Sequence, residues 1–150
     1  MRIRRRISIE APSDMVWDVI TDLRRAHEWA PGFDDYPFVS PGWPKQGGKA
    51  TWRCHVGLLR FNFHLTVTES IRGKALQIAN RSVFGESLEV YSLAMSGNTT
   101  TVWYDASDTP NLIGRMAAPF FEKRMIALVD RTIASLKTYC ESRVKARSDK

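Results

Sequence analysis

The chain of 150 residues carries 22 Lys and Arg against 16 Asp and Glu, a formal charge of +6, with 43% hydrophobic and 25% charged residues. This length favours one domain whose core needs no disulfide, and the composition excludes the disordered and fibrous classes. No stretch approaches the ~20 apolar residues of a membrane-spanning helix, and the N-terminal residues do not form a secretory signal. We therefore expect a cytoplasmic protein.

The first third of the chain predicts one strand followed by two short helices. Residues 2–10 alternate isoleucine with arginine, as in a strand with one buried face. Pro12 suits the first turn of a helix, and apolar residues then recur at helical spacing. A second short helix or turn is predicted for residues 23–29. The prolines and glycines of residues 33–52 predict loops and short strands.

A β-hairpin is predicted next. Residues 51–56 and 61–67 both alternate apolar and polar side chains. Folding the chain at residues 57–60 places the apolar side chains of both strands on one sheet face, which predicts an antiparallel hairpin with one buried face. The predicted register pairs Val56 with Phe61, Cys54 with Phe63 and Trp52 with Leu65.

The rest of the chain predicts a β-meander and one long helix. The helix covers residues 112–142 with a single apolar stripe, and Pro119 is expected to kink or restart it. In the last two strands both parities carry apolar residues, so their inward faces stay unassigned. The three strands of this meander are predicted at residues 75–82, 87–95 and 99–106. This order of elements is that of an α+β protein with helices on one side of an antiparallel sheet.

Two segments of the sequence resemble a known family. Residues 9–23, IEAPSDMVWDVITDL, with residues 28–32, EWAPG, resemble the opening of the START-like (Bet v 1-like, SRPBCC) superfamily, nearest its polyketide cyclase/dehydrase branch. Residues 113–121, IGRMAAPFF, resemble the family's entry to its long helix. The resemblance implies a single helix-grip domain over residues 1–142, in which a curved antiparallel sheet wraps the C-terminal helix and a cavity lies between them. Residues 143–150 are predicted to be a basic, frayed tail.

The resemblance implies a hydrophobic small-molecule ligand, such as a lipid, an isoprenoid or an aromatic polyketide-like compound. One alternative is a polyketide aromatase/cyclase-type enzyme, which would hold a flexible poly-ketone and move protons. Another is a membrane-surface lipid-handling protein that uses its basic ends. The fold hosts both enzymes and carriers, and no nucleophile or phosphate-loop motif occurs in the sequence. Catalysis is therefore left open, as is the choice between monomer and homodimer.

Large apolar residues on the predicted inner faces are candidates to line the cavity, although each would also fit a solid core. Asn80 is the best candidate for a polar ligand contact, because it shares a parity with Leu76 and Ile78 and needs a hydrogen-bond partner if buried. His55 and His64 have outward parity and are interpreted as solvent-facing. The predicted cavity residues are Trp52, Cys54, Phe61, Phe63, Leu65, Ile78, Asn80, Trp103, Phe121, Met125 and Leu128.

The distribution of charge and the spacing of the cysteines and histidines argue against a nucleic-acid partner and a metal ion. The positive charge lies at the two ends, in residues 2–6 and 143–150, whereas a nucleic-acid-binding face groups its basic residues on one folded surface. We therefore expect no nucleic-acid partner, and membrane contact is less favoured than a role of these ends in solubility. Cys54 and Cys140 form no C-x-x-C motif and the histidines match no ligand spacing, so we predict reduced, buried cysteines, no metal and no cofactor.

Overall fold

The computed structural model describes residues 1–149, which form seven strands, two α-helices and one 3-10 helix. The strands make one antiparallel sheet, and the last helix packs on its concave inner face, so the predicted α+β helix-grip fold is confirmed. The elements in chain order are β1 (Arg2–Ile9), α1 (Ser13–Thr21), the 3-10 helix (Leu23–Glu28), β2 (Phe33–Val39), β3 (Lys49–Val56), β4 (Leu59–Ile71), β5 (Ala75–Ser82), β6 (Gly85–Ser96), β7 (Thr99–Pro110) and α2 (Leu112–Ser148). The strand order across the sheet is β1-β7-β6-β5-β4-β3-β2.

The first strand connects the edge of the sheet to α2. Ile3 and Ile9 are buried, whereas Arg2, Arg4 and the other even-numbered positions of β1 point away from the core. Arg5 breaks the apolar parity of this strand, and its guanidinium lies 2.5 Å from the Asp130 carboxylate of α2. Arg5 therefore departs from the apolar pattern because it forms an ion pair between the sheet and α2.

The solid core lies between the sheet, α1 and the second half of α2. Val16 of α1, together with Leu136 and Cys140 of α2, is 0% exposed, and Val67 and Leu76 of the sheet are each 1% exposed. Burial of one such side chain contributes ~1.5–3 kcal/mol of hydrophobic free energy. The C-terminal half of α2 is thus the part that holds the fold together, and its N-terminal half is free to border a pocket.

The β3–β4 hairpin has a register two residues away from the predicted one. Cys54 pairs with Phe61 and Trp52 with Phe63, because the turn has two residues rather than four. Gly57, the first of the two, has φ +63°, which glycine adopts without strain and which two-residue hairpin turns require at this position. A shift of two preserves parity, so the apolar side chains still share the inner face.

The long helix runs further than predicted. It continues without interruption through Pro119 and ends at Ser148, whereas a frayed tail was predicted from Arg143. The extra turns are held in place, because the Arg143 guanidinium lies over the Tyr139 ring at 5.5 Å and Val144 packs against the core. Residue 150 of the predicted tail lies outside the described residues. None of the helices in residues 1–149 is both long and apolar enough to cross a membrane.

Candidate functional site

A pocket of about 250 Å³ lies between the inner face of the sheet and the first half of α2. The lining from the start of α2 consists partly of the small residues Gly114, Ala117 and Ala118, which leave space beside the helix. Most of the lining is apolar, as is usual in small-molecule sites. The apolar lining includes Ile3, Val56, Phe61, Phe63, Phe84, Ala106, Phe121, Met125 and Val129.

Three phenylalanines from three different elements form one side of the pocket. The ring centroids of Phe61 and Phe84 are 4.8 Å apart, and Phe121 lies 5.9 Å from each of them. They come from β4, the β5–β6 turn and α2 respectively. Aromatic rings at these separations attract one another, so this cluster holds the helix and two parts of the sheet around an apolar space.

Polar groups of the three neighbouring strands β5, β6 and β7 form a second part of the lining, here called the polar wall. The register aligns Asn80 of β5 with Ser87 of β6, and Ser87 with Asp108 of β7. The Asn80 Oδ1 atom is buried and has no hydrogen-bond partner among residues 1–149. The Tyr104 hydroxyl donates a hydrogen bond of 3.0 Å to Oε1 of Glu89. This wall can therefore accept and donate hydrogen bonds toward a ligand.

Burial makes this wall favour neutral side chains. It raises the pKa of Glu89 above the usual range, while the hydrogen bond from Tyr104 acts in the opposite direction. The pKa values of Tyr91 and Tyr104 are raised well above their usual range, first by burial and then by the nearby Glu89. The centroids of the two tyrosine rings are 5.0 Å apart. A protonated Glu89 can donate a hydrogen bond, which a carboxylate cannot.

The structure places the predicted cavity residues in two groups. Five of them line the pocket, and four more lie on the same inner face but pack into the core outside it. Trp52, for example, lies against Phe33 with ring centroids 5.2 Å apart. The lining residues are Phe61, Phe63, Asn80, Phe121 and Met125, and the core residues are Trp52, Cys54, Leu65 and Ile78.

The remaining two predicted residues lie elsewhere, so their assignment to this pocket was wrong. Trp103 is 41% exposed on the outer sheet face, because Val102 and Tyr104 take the inward positions of β7. Its ring lies beneath the Arg6 guanidinium, 5.7 Å from the centroid. Leu128 borders a separate groove, since it lies about one helical turn beyond Met125, where its side chain faces Gly32.

That groove lies beside the turn at residues 31–32 and has a volume of about 390 Å³. Its lining includes Arg124 and Arg131, which are exposed, and His55, whose Nδ1 lies 2.7 Å from an Asp34 oxygen. Although this groove is larger, exposed charged side chains border it. The smaller pocket, with its aromatic side and buried polar wall, is the better candidate for an apolar ligand.

Several functional candidates escaped sequence reasoning. Glu89 and Tyr104 lie on β6 and β7, whose inward faces could not be assigned because both parities carry apolar residues. Phe84 lies between the strands predicted at residues 75–82 and 87–95, a position that gives no sign of a contact with α2.

Both cysteines are buried and free, and burial raises the pKa of each thiol to about 12. No group of three or more His, Cys, Asp or Glu side chains in residues 1–149 could hold a metal ion.

A family model described as polyketide cyclase/dehydrase and lipid transport matches residues 1–141. The chain belongs to this family. The match covers the pocket, the polar wall and most of α2, in agreement with the resemblance of residues 9–32. A search of curated proteins gives no significant match.

Solved structures share the fold of this chain. A protein of Thermus thermophilus has a TM-score of 0.76 at 16% identity, with 99% of each chain covered. The Zhui aromatase/cyclase of a Streptomyces species has a TM-score of 0.76 at 12% identity, covering 96% of this chain and 95% of that one. A START superfamily protein of Mycobacterium smegmatis has a TM-score of 0.70 at 13% identity, with 97% of each chain covered. At these identities the likeness concerns the fold alone.

Proposed function

We propose that this member of the polyketide cyclase/dehydrase and lipid-transport family binds a hydrophobic small molecule in the pocket between the sheet and the first half of α2. The observation that carries the proposal is an apolar pocket whose lining includes Asn80, a polar residue with a buried and unpartnered Oδ1 atom. A buried acceptor without a donor costs ~1–3 kcal/mol. A ligand hydroxyl, or a water that accompanies the ligand, would supply the missing donor.

Filling the pocket with a side chain tests this proposal. Ala118 lines the pocket, whereas Ala134 is exposed further along the same helix. We expect the uncharged fluorescent probe N-phenyl-1-naphthylamine to bind the wild-type protein, to bind Ala118→Phe at least about tenfold more weakly, and to bind the matched control Ala134→Phe unchanged. Equal affinity for the two variants would exclude this pocket as the binding site.

An exposed apolar surface favours a second function, the handling of lipids at a membrane surface. Large exposed apolar side chains lie in the β3–β4 turn, in the β5–β6 turn and at the start of α2, and the last two of these segments meet at Phe84 and Gly114. Exposed apolar clusters of this kind mark interaction sites. Its members, here called the apolar rim, are Leu58, Leu59, Val83, Leu112, Ile113, Met116 and Phe120.

Charge beside the apolar rim indicates an anionic bilayer as the partner. Arg115, Lys123 and Arg124 of α2 take part in none of the ion pairs found in residues 1–149. Three of the four arginines of β1, by contrast, are in ion pairs, since Arg2 and Arg4 contact Asp105 and Arg5 contacts Asp130. Basic and apolar side chains together on one helical segment are typical of binding to anionic lipid surfaces. The region proposed here for membrane contact is thus the start of α2, whereas the sequence suggested the two basic ends.

Vesicle co-sedimentation tests this second function. Phosphatidylcholine vesicles with about one-quarter phosphatidylglycerol should retain the wild-type protein at low salt and release part of it at high salt. Phe120→Glu should lose this binding, whereas Lys145→Glu, at the far end of α2, should keep it. Unchanged sedimentation of Phe120→Glu would exclude the membrane, and a smaller mass of that variant in light scattering would show that the apolar rim joins two copies instead.

The enzyme alternative rests on one pair of residues. Cyclisation of a poly-ketone needs groups that move protons, and Glu89 with Tyr104 forms a hydrogen-bonded acid–tyrosine pair in the pocket. A poly-β-ketone thioester offered as substrate should then cyclise with the wild-type protein and stay linear with Tyr104→Phe. Equal products with and without protein would exclude this alternative.

A further inference from the structure

Within residues 1–149, the lining of the pocket contains carboxyl groups but no Lys, Arg or His side chain. The acids come from β6, β7 and α2. The protein as a whole carries a formal charge of +6, so this local composition is opposite to the overall charge. The four acids that line the pocket are Glu86, Glu89, Asp108 and Glu122.

The cations of Arg5 and Met1, which lie near Glu89, are already paired with carboxylates. Arg5 has inward parity in β1, opposite Tyr104, but its guanidinium is held by Asp130. The Met1 ammonium lies 2.6 Å from Asp108 Oδ1 and is thereby paired. Tyr91 and Tyr104 are neutral, since burial raises the pKa of both hydroxyls. A carboxylate ligand placed beside Glu89 would therefore find no free cation among the pocket-lining residues of the described part of the chain.

From this arrangement we propose that the pocket selects an uncharged ligand that accepts a hydrogen bond, such as a ketone, against a carboxylate of the same size, and that Glu89 is the donor. The inference rests on the proposed function, because it concerns the same pocket. Its basis is the placement of one acid among the polar groups of the wall and the absence of a basic side chain from the lining.

The contacts of Glu89 show how it can donate. Tyr104 donates to Oε1, and Oε2 has no hydrogen-bond partner among residues 1–149. A proton on Oε2 is therefore available to a carbonyl oxygen in the pocket, while Oε1 stays satisfied by the protein. Burial favours this protonated form, since it raises the pKa of Glu89.

A carboxylate ligand meets two unfavourable effects in the same place. Its charge must leave water for an apolar pocket, which is expensive unless a cation pairs with it. Glu122, which takes part in no ion pair within residues 1–149, also repels it when ionised, whereas Asp108 and Glu86 are paired with the Met1 ammonium and Arg81. An uncharged carbonyl meets neither effect and gains the hydrogen bond from Glu89.

Three probes of nearly equal shape separate these effects. They are 2-acetylnaphthalene, which is an uncharged acceptor, 2-naphthoate, which is an anion at pH 7, and 2-ethylnaphthalene, which has no polar group. Quenching of tryptophan fluorescence gives their affinities. We expect the wild-type protein to bind the ketone at least about tenfold more tightly than the carboxylate.

Two variants of Glu89 then identify the donor. Glu89→Gln keeps a donor in the side chain and should retain the affinity for 2-acetylnaphthalene within a few-fold. Glu89→Leu has none and should lose about tenfold for the ketone. Both variants should bind 2-ethylnaphthalene as the wild-type protein does, which shows that the pocket is still formed.

Each outcome decides between the inference and the proposed function. Tight binding of 2-naphthoate, equal to that of the ketone, overturns the selectivity and leaves the binding function intact. Full ketone affinity in Glu89→Leu overturns the role of Glu89. If none of the three probes binds the wild-type protein, the proposed function fails, and the inference fails with it.

Discussion

The Thr100 hydroxyl donates a hydrogen bond of 2.7 Å to the carbonyl oxygen of Ala11. Thr100 is 0% exposed and Ala11 is 1% exposed, so water does not compete for this bond. The contact ties β7 to the segment between β1 and α1. It thereby fixes where α1 begins relative to the sheet.

Removal of this hydroxyl should destabilise the protein. Thr100→Val keeps the shape of the side chain but leaves the Ala11 carbonyl without its donor, and an unsatisfied buried acceptor costs ~1–3 kcal/mol. Urea denaturation measures the loss of unfolding free energy. The control is Thr101→Val, on the outer-facing position next to it, which should change stability by less than ~0.5 kcal/mol. Equal effects of the two substitutions would contradict the role of this bond.

Trp103 should be dispensable for ligand binding. Its side chain lies on the outer sheet face beneath Arg6, where a cation–π contact contributes ~0.5–1 kcal/mol. Trp103→Ala should therefore leave the affinity for N-phenyl-1-naphthylamine unchanged, whereas Phe63→Ala, in the pocket lining, should weaken it. A loss of affinity in Trp103→Ala comparable with that in Phe63→Ala would show that the two faces of β7 are assigned wrongly.

The sheet face to which a strand residue points could be predicted from the sequence better than its pairing partner on the next strand. Alternation in β3 and β4 placed Trp52, Cys54 and Phe63 on one face, and the structure agrees, because a shift of two residues leaves parity unchanged. The two-residue shift in the pairing of β3 with β4 depends on Gly57. Its positive φ allows a two-residue turn, which alternation alone does not distinguish from a four-residue turn.

The pocket itself was only partly predictable, for two physical reasons. Asn80 was a clear signal, because it is polar on an otherwise apolar parity of β5. Glu89 and Tyr104 lie on β6 and β7, where both faces are partly covered and alternation carries little information. Leu65 and Ile78 have the right parity but lie where α2 closes on the sheet, and the position of a helix along a sheet depends on tertiary packing.

The acid sensitivity of the fold should depend on Glu28. Arg25 Nε donates to Glu28 Oε1 at 3.0 Å, and the Tyr139 hydroxyl donates to Oε2. These hydrogen bonds, that from Arg25 first, lower the pKa of Glu28 to about 2. The resulting stabilisation is fully present above the pKa of an unfolded glutamate, ~4.3, and is lost as the pH falls from there toward 2.

Two variants test this pH dependence. Glu28→Gln should flatten the fall in unfolding free energy between about pH 4.3 and pH 2, because it removes the titrating group. Tyr139→Phe removes one donor and should shift the acid transition part of the way toward neutral pH. Thermal melts across this pH range measure both effects. An acid transition identical in all three proteins would show that these hydrogen bonds do not persist in solution.

The start of α2 should not tolerate a side chain at Gly114. A Cβ built at this position would lie 2.1 Å from the carbonyl oxygen of Phe84 and 2.9 Å from Cβ of Pro110. The Gly114 N–H also donates to Oδ1 of Asn111 at 2.8 Å, and Nδ2 of Asn111 donates to the Val83 carbonyl oxygen at 3.0 Å, so the helix start is fixed against the β5–β6 turn. Since the obstructing atom belongs to the backbone, helix and turn must move apart to admit a methyl group.

Gly114→Ala should therefore lose stability and ligand affinity together. Alanine improves helix propensity by ~1 kcal/mol, but overpacking of this kind costs ~1–3 kcal/mol, so the net change should be destabilising. Because Phe84 belongs to the aromatic side of the pocket, its displacement should also weaken binding of N-phenyl-1-naphthylamine. The matched control is Ala134→Gly on the exposed face of α2, which should lose ~1 kcal/mol through propensity alone and keep its affinity for the probe. A Gly114→Ala protein as stable as the wild type, with full affinity, would mean that α2 does not approach Phe84 this closely.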